Sequence, residues 1–137
     1  MSDQPGLLRG ECFCRGIAYE VPDIFEYALN CHCSGCRRAT GAAFKPFAGI
    51  AAGHLRVVHG QDRVMRYGDE LAHDAHCGRC GSLLYSLVRD GTYVHVTLGT
   101  LIDPPAMVPT GHIFVGSKAP WHRICDGLPE YAEFPSP

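Results

Sequence analysis

Between Asn30 and Gly41 the chain reads NCHCSGCRRATG, which puts three cysteines, Cys31, Cys33 and Cys36, into six residues. Three thiols this close together need a common partner, and that need constrains the fold more than any apolar pattern in the sequence. Two further pairs carry the same demand: Cys12 and Cys14 in GECFCRG, and Cys77 and Cys80 in HCGRCG. Cys-x-Cys on a strand sends both sulfurs to one face, because strand side chains alternate with a period of two. Cys-x-x-Cys followed by Gly is a metal knuckle, whose turn lets both sulfurs approach one ion at about 2.3 Å.

The compartment decides whether such cysteines are ligands or disulfides. The opening MSDQPGLLRGECFC has neither a basic head nor a long apolar stretch, so it does not read as a secretory signal. No apolar run approaches the roughly 20 residues that cross a membrane. A cytoplasmic protein is expected, and there tight cysteine pairs are metal ligands. At 137 residues the chain is expected to form a single domain, 1–137, and to bury about two-thirds of its surface without covalent staples. A net charge of −2, with no Lys/Arg run, argues against a nucleic-acid partner. Arg15, Arg37, Arg38 and Arg79 adjoin the cysteine motifs and favour their thiolate forms.

With 16 Gly, 10 Pro and no long helical apolar period, the chain reads as short strands joined by turns. Residues 1–6 are expected to be a loose tail, and the last few residues mobile. Ile17, Tyr19 and Val21 alternate in a half-buried strand ending at Pro22, and Phe25, Tyr27 and Leu29 alternate toward Cys31. Ser34 to Thr40 predicts a helical turn ended by Gly41. Phe44 to Ile50 is apolar and extended, and Pro46 implies an edge or irregular strand. Leu55–Val58 and Val64–Tyr67 flank HGQD, which predicts a hairpin. Leu71–His76 leads into the last cysteine pair. Ser82–Val88 and Thr92–Leu98 predict a second hairpin, through Arg89-Asp90-Gly91. Residues 103–109 read as a proline-rich loop and His112–Val115 as a short strand.

The seven sulfurs divide as four plus three, in either of two ways. Cys12, Cys14, Cys77 and Cys80 can share one site and leave Cys31, Cys33 and Cys36 as a local set. Alternatively, the two Cys-x-x-Cys units, 33/36 and 77/80, make a zinc ribbon and leave 12, 14 and 31. Spacing leaves both open. The first is favoured because its remainder is a complete ligand set. Three protein ligands with an open position mark a catalytic zinc. Three thiolates make that ion a weak Lewis acid for generating hydroxide, but a good host for a soft donor. The softest common metabolite donor is a thiol, which loses its proton on coordination and becomes nucleophilic. The residues therefore suggest addition of a small thiol to an aldehyde, or the reverse cleavage.

In order, the motifs are Gly10-x-Cys12-x-Cys14-x-Gly16, Cys31-His32-Cys33-x-x-Cys36-Arg37 with Thr40-Gly41, and Cys77-x-x-Cys80-Gly81. They continue with Gly99-Thr100-Leu101 and Asp103, His112-Ile113, Lys118-Ala119-Pro120-Trp121, and Asp126-Gly127-Leu128-Pro129. This set resembles the glutathione-dependent formaldehyde-activating enzymes, a family that includes centromere protein V, over residues 8–131. The resemblance implies a mainly β, β-tent zinc-binding fold of short antiparallel sheets with little helix. It implies two zinc ions, a structural one on Cys12, Cys14, Cys77 and Cys80 and a catalytic one on Cys31, Cys33 and Cys36. It also implies a carbon–sulfur lyase that condenses glutathione with formaldehyde to S-hydroxymethylglutathione. Cys12-Phe13-Cys14-Arg15 departs from the family pattern, which often has a polar residue and Gly there.

Other residues have plainer readings. His32 points away from its flanking ligands, as a surface or supporting histidine. His73 and His76 are strand residues. His112 lines the pocket or sits in a strand, Phe44 is pocket wall or core, and Arg37 holds a substrate carboxylate or buttresses the anionic cluster. Trp121 is expected to be a core anchor. Cys125 is expected to be an inert, semi-buried thiol. Two other functions compete. A non-catalytic zinc-binding module for a protein partner would have closed sites and an exposed apolar patch. A sulfoxide reductase would use Cys125 as nucleophile.

Overall fold

Ile17, Tyr19 and Val21 are buried as their alternation predicts. They lie on and beside β2 (Ala18–Pro22), the middle strand of a three-stranded antiparallel sheet with β1 (Leu7–Glu11) and β5 (Arg56–His59). The computed structural model describes residues 6–135. All but Gly6 of the expected loose tail, 1–6, lies outside the described residues, as do the last two residues of the chain.

The second sheet takes β3 (Tyr27–Cys31), β4 (Lys45–Ala51), β6 (Val64–Gly68), β7 (His73–Cys77), β8 (Leu83–Val88), β9 (Tyr93–Thr97) and β10 (His112–Ile113). Their order is β10-β3-β4-β9-β8-β7-β6, antiparallel throughout except where β10 runs parallel to β3. The one α-helix among the described residues is α1 (Ser34–Thr40). It ends at Gly41, whose left-handed backbone lets its N–H reach Arg37 O at 2.8 Å. The mainly β architecture with little helix is as expected.

Two local expectations need correction. β5 and β6 do not form a hairpin. β5 joins β2 in the small sheet and β6 joins β7 in the large one, so the turn at Gln61–Arg63 carries the chain between sheets. β4 is not an edge strand. It pairs with β3 and β9, and it tolerates Pro46 because the β9 ladder starts only at Phe47–Thr97. On the other side, Pro46 faces Asn30, whose own N–H goes to Gly111 O, so no rung is lost. The alternation in β3 is as expected, and it divides the strand between two apolar clusters. Ala28 joins the main core, whereas Tyr27 and Leu29 pack on Cys31, Phe47 and Ile113. The hairpin expected through Arg89-Asp90-Gly91 does form, between β8 and β9: Arg89 and Asp90 are its central residues, both at positive φ, and Gly91 N closes it on Val88 O at 3.1 Å.

The main core fills the space between the sheets. Ile17, Tyr19 and Val21 meet Ala28, Ala48, Ile50, Val94 and Val96 there. Residues opposite one another across a ladder share a sheet face. The other face of the large sheet is therefore set by register: Cys31 opposite Lys45, Phe47 opposite Thr97, Ser86 opposite His95, and Asp74 opposite both Ser86 and Tyr67. An irregularity in the β7–β8 ladder leaves Leu84 without a Cα partner, so Leu84 packs in the core while Leu83 and Ser86 face the other way. One face of this sheet is apolar and supports the fold, and the other is polar and carries the candidate site.

Candidate metal centres and the adjoining cleft

Cys12 lies just beyond the end of β1 and Cys77 ends β7, so each sheet contributes half of the first cluster. The sulfurs of Cys12, Cys14, Cys77 and Cys80 all lie within 4.8 Å of one another. Cys12 to Cys14 is 3.6 Å and Cys14 to Cys77 is 3.7 Å. A tetrahedron of sulfurs about 2.3 Å from a central ion has edges of about 3.8 Å. The spacing thus fits a four-thiolate ion. Backbone N–H groups point at the sulfurs: Ile17 at Cys12 (3.3 Å), and Arg79 and Cys80 at Cys77 (3.4 Å each). Burial opposes ionisation of Cys80, but the Ser82 hydroxyl and N–H and the Cys14 N–H bring it down to about 5. Such donors stabilise thiolates, the form that binds metal.

The second cluster is local. β3 ends at Cys31, and the chain turns directly into α1, with Cys33 as its N-cap. The Cys33 sulfur accepts the N–H of Cys36 at 3.3 Å, the role that Ser or Asp usually takes. The three sulfurs lie within 4.8 Å of one another, and no fourth Cys, His, Asp or Glu joins them among the described residues. A hydrogen bond from Cys36 lowers Cys31 to about 6 against the opposing effect of burial, assisted by Cys33 and the charge of Lys45; the same bond pushes Cys36 up. Cys33 and Cys36 open on a cleft of about 540 Å³ whose wall includes Lys45, Asp74, Tyr67 and His76.

Behind this loop, His32 is completely buried. Its Nε2 meets His112 Nδ1 at 2.8 Å, and His112 Nε2 meets Asp126 Oδ2 at 2.8 Å. A carboxylate only accepts, so His112 Nε2–H donates to Asp126, and a single proton lies between His32 Nε2 and His112 Nδ1. Burial pushes His32 down to about 4, with further lowering from His112, His122, Lys118 and Arg37. Phe44 packs on His32 at a ring distance of 4.9 Å. Arg37 Nε is buried and finds no partner among the described residues.

His32 is interior, which fits the second of its two readings. The sequence reading of the other supporting residues needs two changes. Trp121 is 70% exposed and anchors nothing in the core. Cys125 is exposed, not semi-buried, and stands in neither cluster, its nearest partner being Arg123 O at 3.9 Å. His73 and His76 do lie on β7. The sequence reading also missed Lys45, Ser86 and Asp74. The signal was visible, since Lys45 interrupts the apolar run from Phe44 to Ile50, and a lysine in a buried strand is rare without a purpose.

Fold and clusters define a mainly β protein whose two sheets are joined by one thiolate site and carry a second beside an open cleft. A family model described as glutathione-dependent formaldehyde-activating enzyme matches residues 7–117. The chain belongs to that family. It is also similar to the crystal structure of a Rhodobacter sphaeroides protein, a structural-genomics target, at 28% identity and a TM-score of 0.59, covering 74% of this chain and 97% of that one. No curated protein matches the chain. No helix among the described residues is long and apolar enough to cross a membrane.

Proposed function

We propose that the chain is a zinc-dependent carbon–sulfur lyase of the cytoplasm, joining a small thiol such as glutathione to a small aldehyde such as formaldehyde, or releasing it. The observation that carries this reading is the asymmetry of the two clusters. Four sulfurs form a set complete for a tetrahedral ion, whereas the other three have no fourth protein donor among the described residues, and two of them, Cys33 and Cys36, line a cleft. Four-ligand sites are structural, and three-ligand sites keep a place for substrate. A zinc ion on Cys31, Cys33 and Cys36 would supply a position that holds a thiol as its thiolate.

This chain's own residues do the rest. The Cys33 cap and the N–H of Cys36 fix two of the sulfurs relative to α1. The His32–His112–Asp126 chain ties the loop between the ligands to β10 and to the C-terminal segment. The cleft, at about 540 Å³, falls within the range of small-molecule sites. Family membership supports glutathione and formaldehyde as the pair. The alternative, a non-catalytic interaction module, calls for a closed second site.

Zinc content and adduct formation test the reading together. The zinc-loaded protein should hold two ions per chain and accelerate thiol–aldehyde adduct formation above the spontaneous rate. Two ions with no acceleration across several thiols would favour the interaction module.

A further inference from the structure

Lys45 is only 6% exposed, yet it has no carboxylate in direct contact among the described residues. Its Nζ donates to Ser86 Oγ at 2.9 Å, and Ser86 Oγ donates to Asp74 Oδ1 at 2.6 Å. An ammonium carries three donors, and among the described residues this one uses a single donor on the protein. Burying a cation behind a neutral hydroxyl is unfavourable unless something else completes its shell. Lys45 lies directly opposite Cys31 in the β3–β4 ladder, so both side chains leave the same sheet face. It also lines the cleft beside Cys33 and Cys36.

We propose that Lys45 is a catalytic residue for thiol–aldehyde addition: its ammonium receives the carbonyl oxygen of the aldehyde and stabilises the negative charge that develops there. Ser86 and Asp74 are positioning residues that hold the ammonium. The assignment rests on the thiol–aldehyde reading above. A neutral carbonyl suits the site better than an anionic group, because Asp74 and the sulfurs of Cys33 and Cys36 share the same wall. The reaction balances without a redox partner. The thiolate sulfur forms the C–S bond, the C=O π pair moves onto oxygen, and water in the open cleft protonates the alkoxide. That proton replaces the one the thiol released earlier. A preplaced donor at the developing oxyanion is typically worth a factor of 10²–10³ in rate, roughly.

The test separates thiol capture from carbon–sulfur bond formation. Cobalt(II)-loaded protein reports glutathione binding through a thiolate charge-transfer band. Rapid mixing of the thiol-saturated protein with isotope-labelled formaldehyde then reports the adduct rate. Lys45→Met should keep its metal content and hold glutathione within about 2-fold of the parent. Its adduct rate should fall about 100-fold. Ser86→Ala, which removes one oxygen, should slow the adduct about 10-fold at unchanged glutathione affinity, and it decides the matter if Lys45→Met fails to load. An unchanged adduct rate in these variants overturns the role of Lys45 and leaves the thiol reading standing. Weakened glutathione binding at an unchanged adduct rate also overturns it, making Lys45 part of the thiol site. No glutathione band in the parent protein overturns the thiol reading itself.

Discussion

His32 and His112 meet at 2.8 Å although 80 positions separate them in the chain. Replacing His112 with Ala leaves the buried Nε2 of His32 unpaired, which should cost about 1–3 kcal/mol. Asp126 is nearly half exposed, so Asp126→Asn should cost less. Urea denaturation of the two variants, compared at equal m-values, measures this. Equal stability of His112→Ala and the parent would show that the contact is incidental.

The two clusters should respond differently to chelators. Cys12 and Cys77 lie in the main core, whereas Cys33 and Cys36 face the cleft. A chelator should strip one zinc quickly while circular dichroism stays constant, and the second only as the protein unfolds. Structural zinc supplies about 10–16 kcal/mol in small domains, comparable to a whole domain's stability. Cys77→Ser should therefore abolish folding, and Cys33→Ser should fold with one zinc. Loss of both ions at the same rate would contradict the distinction.

Acid should weaken the protein through His95. Burial holds this imidazole down to about 4, with Lys45 and Arg89 adding to the effect. Between about 4 and the usual 6.5 the unfolded chain binds a proton that the folded chain does not. Stability contributed by His95 is complete above about 6.5 and is lost as pH falls toward 4, at about 1.4 kcal/mol per pH unit. His95→Gln can keep a bond to the Tyr27 hydroxyl, now 2.7 Å from Nε2, and should flatten this part of the profile. A parallel slope in the variant would assign the loss elsewhere.

The Arg9–Asp103 ion pair should show its effect at lower pH. The Arg9 guanidinium and N–H hold the Asp103 carboxyl down to about 2. Its contribution is present above about 4 and disappears as pH falls through about 2. Asp103→Asn should show a shallower acid slope in that window alone. Thermal melts at low salt are the measurement, because the pair is solvent-exposed and screened.

Trp121→Ala should leave stability nearly unchanged because the ring is mostly exposed, whereas Ile50→Ala should cost about 2–5 kcal/mol. Denaturation midpoints for both test whether the core lies between the sheets. A large loss at Trp121 would contradict the arrangement described.

Local features were legible in the sequence. The Cys77-x-x-Cys80-Gly81 turn, the helix from Ser34 to the left-handed Gly41, and the buried alternation of Ile17, Tyr19 and Val21 all depend on neighbours a few positions apart. So does the three-cysteine set, whose sulfurs come from six consecutive residues. Tertiary structure decided everything that depends on register. Whether β5 pairs with β2 or β6, or Pro46 sits at an edge, follows from which ladders form far away in sequence. The placement of Lys45, Ser86 and Asp74 on one face needs four strands aligned, and a one-residue slip would turn each to the opposite side. The pairing of Cys12 and Cys14 with Cys77 and Cys80 lies between these cases. Ligand chemistry made it one of two options in the sequence, and the meeting of the two sheets brought those four sulfurs together.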